Sequence, residues 1–214
     1  MTRTPQPSNF PEGPMPDSHR GETTSGEQNM EQLERAFELL IEGLGLDRSD
    51  SHLQDTPRRA AEAWAKELCA GLNGPQFRLT TFPVESEADS SMVALQQIPV
   101  KSICAHHLLP ILGWATVAYV PNGQLCGLSK LSRVVDHFAR RPQVQERLTN
   151  QIADFLQTGL HPQGVAVQVK ASHMCMELRG VNHTGLMTTS TLRGVFLEDT
   201  TLREEFMQLA NNGK

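Results

Sequence analysis

From Met30 the apolar positions Leu33, Phe37, Leu40, Ile41 and Leu44 recur three or four residues apart, the spacing of one helix face. Asn29 and Gln32 stand before them as a candidate capping box, and Gly43 and Gly45 supply the stop. A second helix starts at Thr56 and Pro57, where the proline's missing amide costs nothing, and carries Ala60, Trp64 and Leu68 on one side. The period then changes. Val117 and Tyr119 alternate with small neighbours, Asn122-Gly123 reads as a two-residue turn and Leu125 resumes beyond it, which predicts a β-hairpin. From Leu131 the spacing is helical again through Val134, Val135 and Phe138. Pro142 ends or kinks that helix, and Val144, Leu148, Ile152 and Phe155 continue as another begun at the proline. Val165, Val167, Val169 and Ala171 alternate strictly and predict a strand. A second β segment is expected between Met187 and Phe196, and Thr201 with Glu204 caps a final helix bearing Leu202, Phe206 and Leu209.

Helices, strands, a helix pair, strands and a last helix describe an α+β fold with an antiparallel sheet, and no internal repeat is visible. Residues 1–28 hold five of the 13 prolines among Ser, Thr, Gly and Glu, a composition expected to stay disordered. The chain of 214 residues then divides into a helical region over 29–72 and a main domain over 73–214. A formal net charge of -5 gives no global basic field to hold nucleic acid, so a polyanionic ligand has to be met by a local cluster of Arg and Lys. No signal-like or membrane-spanning apolar run is present, which leads to the expectation of a cytoplasmic protein with no membrane partner. Four scattered cysteines, Cys69, Cys104, Cys126 and Cys175, do not make a disulfide framework and raise the question of metal binding.

The segment CAHHLLP places Cys104 and His107 three apart, close enough in a turn to bite one metal ion. The parity of Val169 and Ala171 continues to His173 and Cys175, so both project from one face if the strand runs that far. Cys104, His107 and Cys175 then form a Cys2His set, the ligand count of a catalytic zinc. Spacing alone leaves a second reading open, in which the cysteines are small buried hydrophobes and the histidines satisfied polar groups. His106 and His173 are candidates for proton transfer or for orienting the metal ligands. Lys130 and Arg133 share one side of a helix and form either a phosphate-binding pair or a solvated face. Glu146 can take two parallel hydrogen bonds from a guanine edge, against the plainer reading of a helix-surface glutamate. Cys69 and Cys126 sit in apolar contexts and are assigned to packing.

Taken together, CAHHLLP, VAYVPNG, GLSKLSRVV, FARRPQVQERLTNQI, GVAVQVKASHMCMELRGV and TTSTLRGVF resemble the GTP cyclohydrolase I family in order and spacing over nearly all of residues 56–197. The resemblance implies a tunnelling fold, an antiparallel sheet backed by helices with an N-terminal helical extension, closing with other subunits into a toroid. The implied homo-oligomer is a decamer with active sites where subunits meet. It implies Zn2+ on Cys104, His107 and Cys175, and His106 and His173 as the acid–base histidines. Gln145 and Glu146 match the guanine-binding pair, and Ser129, Lys130, Arg133 and Arg179 match residues around the ribose and triphosphate. Arg59 matches a phosphate contact made by a neighbouring subunit. The implied reaction converts GTP and water to 7,8-dihydroneopterin triphosphate and formate, with no redox cofactor.

Two features depart from the family's pattern. Ala105 stands where the family usually has Glu after the first cysteine, removing a carboxylate beside the metal. The stretch between Arg179 and Gly194 is about one residue shorter than usual and carries Gly185-Leu186-Met187 where a small polar residue is expected. These departures motivate an alternative, a non-catalytic or regulatory paralogue that keeps the assembly.

Overall fold

A computed structural model describes residues 29–73, 77–85 and 91–212; the tail over 1–28 lies outside them. Helix α1 (Met30–Gly43) begins where the Asn29 side chain accepts the Gln32 amide at 3.0 Å, and the chain leaves it through Gly45 at φ 71°. Helix α2 (Thr56–Ala63) runs on into one π-helical turn, Trp64–Leu68, and a short 3-10 turn, Ala70–Asn73. That last turn docks on the body of the protein, where the Gly71 amide donates to the Arg140 carbonyl and Arg141 donates to the Gly71 carbonyl, each at 2.8 Å.

Strands β1 (Thr81–Pro83) and β4 (Gln124–Cys126) form a two-stranded ribbon. The main sheet has the order β5-β2-β3-β6-β7, from β2 (Val93–Cys104), β3 (Pro110–Val120), β5 (Pro142–Gln143), β6 (Gly164–His173) and β7 (Leu186–Gly194). It is antiparallel except where Pro142 and Gln143 run parallel to Ile103 and Cys104. One face, carrying Ile98, Val100, Ile111, Ala115, Val117 and the strictly alternating valines of β6, is covered by α3 (Leu128–Ala139) and α4 (Gln145–Leu160). The other face holds Ala118 and Ala166 against Phe196 of α6 (Val195–Glu198) and Phe206 of α7 (Thr200–Asn212). Gly194, at φ 56° and pressed on the Gln163 carbonyl, makes the strand-to-helix turn at the end of β7. The fold is α+β, with helices on both faces of the sheet.

Four expectations are corrected. Leu125 does not return on β3 as a hairpin: both edges of β3 are taken, by β2 and β6, so β4 pairs with β1. The helix after Pro142 begins at Gln145, because Pro142 and Gln143 are held as strand against the end of β2. The last helix is capped by Asp199, whose carboxylate accepts the Leu202 amide at 3.0 Å, two residues earlier than Thr201. Phe196 belongs to α6 rather than to the preceding strand.

Tyr119 shows how the ribbon is tied to the sheet: its fully buried hydroxyl accepts the Cys126 amide at 2.7 Å. Tyr119→Phe leaves that buried amide without its acceptor, so we expect stability to fall by about 1–3 kcal/mol, read as a lower urea midpoint at unchanged slope.

Candidate metal and substrate site

The site is assembled at one end of the main sheet, where β2, β3 and β6 terminate or begin. Cys104 ends β2 and opens a tight turn: its carbonyl accepts the Leu108 amide at 2.9 Å, and its own amide donates to the Leu109 carbonyl at 2.8 Å. Ala105 donates its amide to the Gln143 carbonyl at 2.9 Å, which pins the turn to β5. Leu108 adopts φ 54° and completes the reversal. His106 and His107 therefore sit exposed at the tip, their rings 6.4 Å apart and nearly perpendicular, above a buried Cys104.

Cys175 arrives differently from the sequence expectation. Strand β6 stops at His173, and Met174–Glu177 form a single helical turn, α5, so Cys175 is not carried by strand parity. The Ser172 hydroxyl donates to the Glu177 carboxylate and braces this turn against the strand. The result is the expected grouping, since the ligand atoms of Cys104, His107 and Cys175 all lie within 4.8 Å of one another. Two sulfurs about 2.3 Å from a tetrahedral metal stand roughly 3.8 Å apart, so two thiols and an imidazole at this spacing suit one ion with little movement. Burial, and next the Cys104 thiol beside it, push the Cys175 thiol up, while Arg179 pulls it down. A cation at the centre reverses that balance, since it favours both thiolates. Cys69 and Cys126 take no part; burial raises both thiols, Cys126 to about 11, as suits packing residues.

Arg179 Nη1 lies 3.3 Å from His107 Nε2. Arginine only donates and a neutral imidazole has one lone pair, so His107 serves either Arg179 or a metal ion. Metal ligation through His107 would leave the guanidinium of Arg179 free for an anion.

Behind the cluster stands His173, paired in register with Ile111 and half-buried. Its Nε2 lies 2.8 Å from Oε1 of Gln145, the first residue of α4. Burial lowers the His173 pKa, and the nearby Glu146 carboxylate opposes this. The Gln145 side chain, expected at the guanine, is 1% exposed and directs its amide into the sheet toward Val169, Met187 and Thr189. Glu146, one residue on, is exposed in the first turn of α4, where the helix dipole favours a carboxylate.

The remaining predicted residues lie elsewhere in the fold. Ser129, Lys130 and Arg133 ride on α3 with Lys130 half-buried and the other two exposed, and among the described residues the Lys130 and Arg133 side chains make no hydrogen bond or ion pair. Arg59 is on α2, in an exposed pair with Asp55 at 3.0 Å, and among the described residues no contact brings it to Cys104 or Cys175. Sequence reasoning missed the Gln145–His173 bond and the Ser172–Glu177 brace, neither of which has a motif.

A sheet flanked by helices that gathers two thiols and an imidazole around one point, with a histidine and a carboxylate beside it, defines an α+β protein with a candidate catalytic metal centre. The profile of the family GTP cyclohydrolase I matches residues 33–211. GTP cyclohydrolase 1 2 of Nostoc sp. is 48% identical over 182 residues, 85% of this chain and 84% of the relative. GTP cyclohydrolase 1 of Sulfurihydrogenibium sp. is 46% identical over 85% of this chain and 95% of its own, and that of Aquifex aeolicus 46% over 84% and 95%. The chain belongs to the GTP cyclohydrolase I family.

Proposed function

We propose that this protein is a GTP cyclohydrolase that converts GTP and water to 7,8-dihydroneopterin triphosphate and formate, using Zn2+ held by Cys104, His107 and Cys175. The observation that carries the reading is the convergence of these three side chains, from two separate segments, within 4.8 Å in a chain of this family. Cys104, His107 and Cys175 would hold the ion, which when bound would serve as a Lewis acid able to activate water near neutral pH for attack at carbon 8 of the guanine.

The chain's own residues do the rest. His173, whose burial favours the neutral ring, takes up and returns protons, and His106, exposed at the tip of the turn, serves as the second proton carrier. Glu146 forms the guanine end and supplies the charged acceptor, while the Gln145 side chain, expected beside it, is turned into the sheet. Arg179, once released by His107, joins Ser129, Lys130 and Arg133 around the ribose and triphosphate, and Arg59 reaches the phosphates of a neighbouring subunit's site. That arrangement requires a tunnelling-fold toroid, a decamer, in which the helical region over 29–72 carries Arg59 outward from the domain over 73–214. We place the protein in the cytoplasm; among the described residues no helix is long and apolar enough to cross a membrane.

Incubating the purified protein with GTP, oxidising, and recording pterin fluorescence tests the reading. We expect pterin from GTP, none from ATP, and loss of the signal after chelation with recovery on zinc addition. An absence of pterin from zinc-loaded protein would favour the non-catalytic paralogue that Ala105 suggests.

A further inference from the structure

We propose that Arg147 is a positioning residue that clasps the bend between β5 and α4 and so fixes the Cys104–His107 turn relative to Glu146. The inference rests on the reading of that turn and of Glu146 as the metal and guanine ends of a GTP cyclohydrolase site, and goes beyond it in assigning the side chain that sets the distance between them.

Arg147 is the third residue of α4, in the turn where the helix dipole opposes a cation, and among the described residues it makes no ion pair. Its half-buried guanidinium instead folds back over the two residues of β5: Nε donates to Gln143 Oε1 at 2.9 Å, and Nη2 to the Pro142 carbonyl at 2.9 Å. The charge stands in an unfavourable place, and both bonds go to the strand just before the helix, so the side chain is there for its shape. Gln143 is arranged to receive it. Its side chain is 1% exposed and its NH2 donates to the Phe138 carbonyl at 2.7 Å and to Gln151 Oε1 at 2.8 Å. A carbonyl can only accept, which makes the other terminal atom of Gln143 the oxygen, and Arg147 supplies its donor.

Strand β5 needs such a clasp. It is two residues long, Pro142 has no amide to give to the sheet, and its register reaches only Ile103 and Cys104 of β2. Yet it carries the metal turn, since the Gln143 carbonyl accepts the Ala105 amide at 2.9 Å. Glu146 follows Gln143 closely in the chain and stands exposed at the start of α4. The turn and the carboxylate thus hang from the two ends of one short segment, and Arg147 fixes how those ends are set. A base gripped by Glu146 is then held at one distance from the metal ligands, where a misplacement of about 1 Å is worth on the order of 100-fold in rate.

Arg147→Lys and Arg147→Met test this together. Lysine keeps the charge but loses the planar fork that reaches two oxygens at once, and methionine keeps only the apolar stem. In the metal-free protein, hydrogen exchange resolved at the Ala105 amide should be about 10-fold faster in both variants than in the wild type. Exchange as slow as in the wild type overturns the proposal, and this readout depends on neither turnover nor metal. In the zinc-loaded protein we expect kcat to fall about 100-fold in both variants, with KM for GTP within roughly threefold and zinc content unchanged. A role in stability alone would lower the urea midpoint and leave kcat per zinc-loaded site as in the wild type, and a normal kcat in Arg147→Lys would make the charge, not the fork, what matters; either outcome sinks the proposal. If the wild-type protein forms no pterin, the proposed function fails, while exchange at Ala105 still decides whether Arg147 holds the turn.

Discussion

Cys175→Ser is expected to leave the protein folded, strip it of zinc and reduce turnover of GTP by about 10³-fold or more. A serine hydroxyl is not deprotonated near neutral pH and is a poor ligand for zinc, so the substitution takes away one of three protein ligands and the charge that came with it. What remains, one thiol and one imidazole, is too few to retain the ion against a competing chelator. Cys175 is the better position for the test than Cys104. It sits half-buried on the short turn α5, whereas Cys104 is 5% exposed and packs with the residues under α3 and α4, so a hydroxyl there would also disturb the core. Metal analysis before and after dialysis against chelator, beside the GTP assay, checks the prediction. Full zinc together with full activity in Cys175→Ser would show that the three side chains converge without serving a metal.

The sequence pattern made the helices, the β6 strand and the grouping of Cys104, His107 and Cys175 legible, and hid the elements that lack a clean period. The alternation Val165 to Ala171 is visible because those side chains line the one face packed under α3 and α4, while Gln168 and Lys170 stand between them on the other. Strand β2 went unread because a bulge between Leu95 and Ile98, with Gln97 at φ 54°, and a proline at position 99 break the period of two that its inward residues Ile98, Val100, Ser102 and Cys104 would otherwise show. Cys175 was found by an argument whose geometry fails, since β6 ends two residues short of it. The spacing still held, because one helical turn after His173 brings the thiol back toward Cys104. Gln145 shows the opposite limit. Its place beside Glu146 suggests a surface pair, yet it is the first helical residue after a strand that is tied to β2, and this aims its side chain inward while Glu146 stays out. Which of two adjacent polar residues is buried depends on tertiary contacts that neither residue type announces. The assembly expectations, Arg59 above all, depend on contacts between subunits, beyond the reach of a single chain's pattern.

Glu146→Gln is expected to reduce kcat/KM for GTP by roughly 30-fold to 1000-fold while zinc content and oligomer size stay as in the wild type. The ring N–H and exocyclic amine of guanine are two parallel donors, and a carboxylate offers two parallel acceptors. Adenine has no ring N–H at that edge, so the same carboxylate would be left beside a ring-nitrogen lone pair and a wrongly placed amine; ATP is expected to be refused for that reason. Glutamine keeps the length and shape of the side chain but accepts through one oxygen and turns an NH2 toward one of the guanine donors. A charge-assisted pair closed off by the bound base is worth on the order of 2–4 kcal/mol, and about 1.4 kcal/mol per decade gives the stated range. The exposed position of Glu146 in the first turn of α4 also fits a plain solvated glutamate, held only by the helix dipole. In that case the substitution changes turnover by less than roughly threefold, the size of an ordinary surface effect of about 0.5 kcal/mol. The two expectations differ by at least tenfold, so steady-state GTP turnover measured beside zinc content separates them. Near-normal turnover with intact metal would take Glu146 out of the guanine site and leave base selection to other groups.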